Sequence, residues 1–127
     1  MKNRVQTGSH FEEKLGYSRA VIAGEAIYVS GCSGLGAEDE PADAHAQFLR
    51  AGAKVQRFLA AAGASLDDVV RTRVYLVDPA DWEAVGAAHA EVFGGIAPAC
   101  TMVQVAGMID PAMKIELEVT AHKAASE

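Results

Sequence analysis

Long apolar runs are missing from this sequence. No stretch of about 18 apolar residues occurs in its 127 positions, so no helix of it is expected to span a membrane. Cysteine is scarce. Cys32 and Cys100 are too few for a disulfide framework and read as reduced thiols of a cytoplasmic protein. Metal-binding spacing is also absent. His10, His45, His89 and His122 are scattered, with no His-x-x-x-His and no Cys-x-x-Cys, so neither metal nor cofactor is expected. Positive charge is in deficit: Lys+Arg 11 against Asp+Glu 17 leaves a formal charge of −6. Such a surface repels phosphate and sets nucleic-acid binding at a disadvantage. The first ten residues are polar and lack the apolar centre of a signal peptide.

What is present is globular. Half the residues are hydrophobic (50%) and 22% are charged, and no linker or repeat divides the chain, which reads as one domain over 1–127. Two β-rich runs, Ser18–Ala23 and Ala26–Cys32, meet at Gly24-Glu25, a hairpin turn. The pattern adds a further N-terminal strand near Arg4–Thr7. Gly31, Gly34 and Gly36 open a loop with Glu38, Asp39, Glu40 and Pro41; their spacing matches no dinucleotide or phosphate loop. A helix is predicted over Asp43–Ala62, with Ala44, Phe48, Ala51, Val55, Leu59 and Ala62 on one stripe and Gly63 as its stop. A strand follows at Val69–Val77. Asp78-Pro79 starts a second helix, which carries Trp82, Val85, His89 and Val92 on one face and ends at Gly94-Gly95. His89 reads as a packing histidine. Strands at Ala99–Ala106 and Met113–Ala121 complete the chain.

Alternation assigns the faces of the sheet. Val70, Val74, Leu76, Val103, Val105, Ile115, Leu117 and Val119 form an apolar face that two amphipathic helices can cover. The expected fold is therefore α+β and two-layered, a mixed sheet of about six strands with both helices on one face. Arg71, Arg73, Tyr75, Cys100, Met102, Gln104, Glu116 and Glu118 are assigned to the other face. Its mixed polar and apolar character predicts a subunit interface containing a site. Cys32 reads as a partly buried, inert thiol, and Cys100 as a small buried hydrophobe.

One set of ordered segments goes further. Gly16-Tyr17-Ser18-Arg19-Ala20-Val21 and Val29-Ser30-Gly31 are similar to the opening of the Rid family, also called YjgF or L-PSP. The similarity continues through 62–70, Val74-Tyr75-Leu76, Pro98-Ala99 and Lys114-Ile115-Glu116-Leu117-Glu118-Val119, covering about residues 15–121. The resemblance implies a chorismate-mutase-like fold and a homotrimer with small-molecule clefts between subunits. It implies hydrolysis of enamines or imines, with Glu116 positioning water, Tyr17 shaping the pocket and the Gly31 backbone contacting the ligand. In the family an Arg after Pro-Ala holds the substrate carboxylate; here that position is Cys100, and Gly86 stands where many members have Asn. Arg73 or Arg71, placed on the face of Cys100, is the expected substitute anchor. A trimeric metabolite-binding protein without chemistry is the alternative. The family's older ribonuclease label is opposed by the −6 charge.

Overall fold

The computed structural model describes residues 2–36 and 43–123. The acidic part of the glycine-rich loop, Glu38 to Pro41, lies outside the described residues.

The helix predicted from Asp43 forms as α2 (Ala44–Ala61). The Asp43 side chain accepts the Ala46 backbone N–H at 2.8 Å, satisfying a donor that the first helical turn leaves open. Ala62 closes the helix, and Gly63 turns the chain away at φ +83°. The buried stripe contains the expected Ala44, Phe48, Ala51, Val55 and Leu59, and also Gln47, Gly52 and Phe58. The second long helix, α3 (Trp82–Phe93), begins one turn later than expected. Pro79–Asp81 is a 3₁₀ turn, entered through the Asp78 side chain accepting the Ala80 N–H. Trp82 does not join the apolar face; it is exposed, while Val85, Ala88 and Phe93 are buried. A short helix not anticipated from periodicity, α1 (His10–Leu15), is held by a reciprocal Ser9–Glu12 capping box.

Six strands among the described residues form one sheet: β1 (Lys2–Val5), β2 (Ala20–Ala23), β3 (Ala26–Ser33), β4 (Val69–Leu76), β5 (Ala99–Gln104) and β6 (Ile115–His122). Their order is β1-β2-β3-β6-β4-β5. The β4–β5 pair is parallel, as the α3 crossover between these strands requires, and the other pairs are antiparallel. Helices α2 and α3 cover one face. Phe48, Leu59, Val74, Val85, Phe93, Ile115 and Leu117 are fully buried between the layers. This is the two-layer α+β architecture that alternation predicts.

Two face assignments need correction. Val69, not Val70, enters the core: the β4–β6 register shifts between Val69 and Arg71, and this irregularity turns Val70 outward to 47% exposure. In β5 the faces are inverted. Thr72 lies beside Cys100, Val74 beside Met102, and Arg73 beside Thr101. Neighbours in register share a face, so Cys100, Met102 and Gln104 lie on the helix side, and Val103 lies on the open side with Tyr75. Cys100 is exposed rather than buried, because β5 is an edge strand. Arg71 and Arg73 therefore do not share its face.

His89 does pack, as expected. Its Nε2 is 2.9 Å from Thr72 Oγ1, and its ring lies 4.9 Å from Phe93 and 5.8 Å from Phe48, centroid to centroid. Burial holds its pKa below the usual histidine value. The unfolded chain consequently binds a proton at this position more readily than the native state does. His89 should cost stability as pH falls below about 6.5, the unperturbed value. Denaturation midpoints measured from pH 7.5 to pH 5 should drop for the native sequence and drop less for His89→Gln. Equal slopes for the two proteins would contradict this.

Candidate active site

At one end of the sheet the close of β3, the start of β6, the middle of α2 and the α1 segment converge. They surround an open cavity of about 410 Å³. Tyr17, Arg19, Gly31, Lys54, Phe58 and Glu116 are among its walls. Three of the residues singled out in the sequence, Tyr17, Gly31 and Glu116, are thus brought together. Cys100 and Arg73 do not line this cavity. Arg73 instead pairs with Glu118 across β4 and β6, Nη1 to Oε2 3.6 Å, on the open sheet face.

The contact between Gly31 and Glu116 sets the centre of the site. A β-bulge between Val29 and Cys32 lets Ser30 and Gly31 bow out of register with β6. The Glu116 side chain fills the space where a Gly31 side chain would be. A Cβ at Gly31 would stand 2.7 Å from both Cδ and Oε1 of Glu116. Half-burial, reinforced by the nearby Glu118 carboxylate and opposed by Arg19, raises the Glu116 pKa above the usual carboxylate range. A carboxyl group in that condition can take and return a proton near neutral pH more readily than a solvated one.

Arg19 ties the walls together. Its Nη1 donates to Tyr17 Oη at 2.6 Å, and its Nη2 donates to the Gly31 carbonyl at 3.2 Å, with Cys32 Sγ at 3.5 Å. The guanidinium lies over the Phe58 ring, 4.9 Å from its centroid. On the far wall Lys54 Nζ donates to Ser33 O at 2.8 Å, Ser33 Oγ at 3.2 Å and Leu35 O at 3.2 Å. Burial lowers its pKa. Cys32 is fully buried, more so than expected, and burial pushes its thiol up, away from the nucleophilic thiolate. Among the described residues no group of three or more His, Cys, Asp or Glu is placed to hold a metal ion.

The rim is held by Glu12. Its carboxylate accepts from the backbone N–H of Thr7 (2.8 Å) and of Ser9 (3.0 Å), and from the Thr7 hydroxyl. Hydrogen bonds from the Ser9 and Thr7 side of the turn, outweighing burial, lower its pKa to about 2. The last turn before β6 is held by Gln47, whose Nε2 donates to Ala112 O at 2.9 Å and whose Oε1 accepts the Lys114 N–H at 2.8 Å. Gly34 permits this arrangement, since a Cβ there would lie 2.0 Å from the Gln47 carbonyl oxygen.

Residue-by-residue reading missed Arg19 and Lys54. For Arg19 a signal existed: Tyr17 and Arg19 alternate around Ser18 and so address one side of an extended segment. For Lys54 there was none, because an isolated lysine on the polar side of a helix is ordinary.

The profile of the family described as Endoribonuclease L-PSP matches residues 7–123. An uncharacterised protein of Streptomyces coelicolor is 36% identical over 127 residues, covering 96% of this chain and 92% of that protein. The 3-aminoacrylate deaminase RutC of Acinetobacter baylyi is 35% identical over 109 residues, covering 84% of this chain and 86% of RutC. The crystal structure of Rv2704, a member of the YjgF/YER057c/UK114 family from Mycobacterium tuberculosis, superposes with a TM-score of 0.90. It is 41% identical and covers 96% of this chain and 99% of that one.

Proposed function

Because this chain belongs to the L-PSP family, also called Rid or YjgF, we propose that it hydrolyses a small imine or enamine in the cavity that Glu116 shares with Tyr17, Arg19 and Gly31. The observation that carries this reading is the Glu116 carboxylate, half-buried, raised in pKa and seated against the Gly31 backbone. The similarity to a protein named as a 3-aminoacrylate deaminase supports the substrate class.

The chemistry follows from the carboxylate. A water molecule held by Glu116 attacks the carbon of the C=N bond while Glu116 accepts one of its protons. The carbon–oxygen bond forms and the C=N electron pair moves to nitrogen, giving a carbinolamine. Glu116 returns the proton to nitrogen, which completes the carbinolamine. It then carries the hydroxyl proton to nitrogen as the O–H electron pair forms the C=O bond and the C–N bond breaks, and ketone and ammonia leave. An enamine first tautomerises to the imine. Tyr17, fixed by Arg19 through its hydroxyl, bounds the pocket.

The assay mixes the protein with enzymatically generated 2-iminopropionate and follows loss of semicarbazide-trappable imine. Accelerated loss is expected. No acceleration, with the small molecule still bound, would favour the metabolite-binding reading, which the neutral Cys100 at the family's Arg position supports.

The proposed working form is a cytoplasmic homotrimer whose clefts lie between subunits. The open sheet face carries exposed Tyr28 and Val103 beside Arg73 and Tyr75, and β5 is an almost wholly exposed edge. A partner subunit would cover both. Light scattering at micromolar concentration should give about three times the 13.3 kDa chain mass. A stable monomer would contradict the assembly.

A further inference from the structure

The chain carries a formal charge of −6, yet Arg19, Lys54 and Arg57 all line the cavity, against Glu116 and Asp110. The cations differ in what they leave open. Lys54 already has three acceptors, which matches its three N–H bonds. It adds positive potential and fixes the end of β3. Arg57 is exposed, its guanidinium 5.7 Å from the Phe58 ring centroid. Arg19 is held more firmly. Tyr17 Oη, Gly31 O and Cys32 Sγ accept from its Nη1 and Nη2, and Phe58 and Tyr17 flank its plane. Its Nε has no acceptor among the described residues but is buried out of a ligand's reach, whereas by valence Nη1 has a second N–H beyond the one given to Tyr17.

A guanidinium oriented in this way, with that one N–H left on the cavity wall beside the half-buried Glu116, suits an oxygen of a carboxylate. We propose that Arg19 is the anion anchor of the cavity. It receives the carboxylate of a 2-imino or 2-oxo acid, with Lys54 and Arg57 supplying supporting field, and so presents the adjacent carbon to Glu116. The anchor then comes from β2's leading edge. Cys100 is a neutral thiol on the helix side of β5, and Arg71 and Arg73, though on the sheet face that carries Glu116, are not among the cavity walls. The identity of the neighbouring reactive group rests on the hydrolase reading; anion binding by Arg19 does not require turnover.

The test titrates pyruvate, the oxo acid that hydrolysis of 2-iminopropionate would yield, into the native protein. Binding is measured by calorimetry, and the Arg19 Nε–Hε resonance is followed by NMR. Pyruvate should bind and shift that resonance, while uncharged pyruvamide should bind at least about tenfold more weakly, the scale of a lost charge-assisted pair. Arg19→Gln should weaken pyruvate binding by about tenfold or more, and Arg19→Lys and Arg57→Gln by less. Failure of pyruvate to bind, equal binding of pyruvamide, or unchanged affinity in Arg19→Gln would overturn the proposal. The resonance shift in the native protein decides the matter if the variants do not fold. Pyruvate binding through Arg19 without imine loss would sink the hydrolase reading and keep the anchor. Imine loss by Arg19→Gln with unchanged KM would do the reverse.

Discussion

Glu116→Gln should all but abolish hydrolysis of 2-iminopropionate while leaving the protein folded. Gln keeps the shape and the hydrogen-bonding reach of the side chain but cannot take a proton from water. A positioned general base contributes about 10²–10⁴-fold, and the loss in kcat is expected in that range. The same substitution should not destabilise the fold at neutral pH. Burial and the Glu118 carboxylate raise the Glu116 pKa in the native state. Its stability contribution is therefore greatest below the unfolded value and declines as pH rises through the folded one. A neutral Gln removes that decline, so the variant should melt at or above the native temperature at pH 7. In the native enzyme the acid limb of the pH–rate profile should report a group titrating above the ordinary carboxylate range. Glu116→Asp should retain part of the activity. Full activity in Glu116→Gln would remove the carboxylate from the mechanism.

Gly31→Ala should be nearly as damaging to activity, for a geometric reason. Gly31 does not have a positive φ, so its backbone accepts an L-residue without strain. The added methyl would instead stand 2.7 Å from Cδ and Oε1 of Glu116, a separation that forces the carboxylate aside. A misplacement of about 1 Å in a reacting group can cost 10²-fold, and a fall in kcat of that order is expected. Stability should change little, because Glu116 can swing toward the cavity and gain solvent. That movement should also return its pKa toward the ordinary value and shift the acid limb of the pH–rate profile downward. A variant with native kcat and an unshifted profile would show that the contact has no catalytic consequence.

The legible parts of this fold are those where one physical pattern dominates. β6 alternates Ile115, Leu117 and Val119 against Glu116, Glu118 and Thr120, and burial follows that alternation residue by residue. α2 is equally clear, from the Asp43 cap to Gly63. β5 is not legible in this way because neither of its faces is decidedly apolar: Cys100, Met102 and Gln104 alternate with Ala99, Thr101 and Val103. Only the parallel register with β4 decides between them, and register depends on the α3 crossover. The outward turn of Val70 is not legible either, because a local shift in strand pairing leaves no periodic trace. α1 left a trace, the Ser9-x-x-Glu12 spacing, but six residues carry too little periodicity to notice.

The site divides in the same way. Tyr17, Gly31 and Glu116 came from resemblance to a family, and the structure brings the three to one cavity. The resemblance also drew attention to Cys100 as a missing anchor, and alternation then offered Arg71 and Arg73 in its place. Both lie on the sheet face opposite Cys100, the face that carries Glu116, but outside the cavity walls. Arg19 stands inside the same motif, but its importance depends on partners far along the chain. Gly31 and Cys32 reach it only after β2 and β3 pair, and Phe58 only after α2 docks.

A crystal structure of the protein soaked with pyruvate shows whether small oxo acids occupy the cavity between Tyr17, Arg19, Gly31 and Glu116. Density for the oxo acid is expected in this cavity, its carboxylate against the Arg19 guanidinium and its carbonyl carbon facing the Glu116 carboxylate. Density beside Arg71 and Arg73 on the open sheet face, with the cavity empty at saturating ligand, would contradict it.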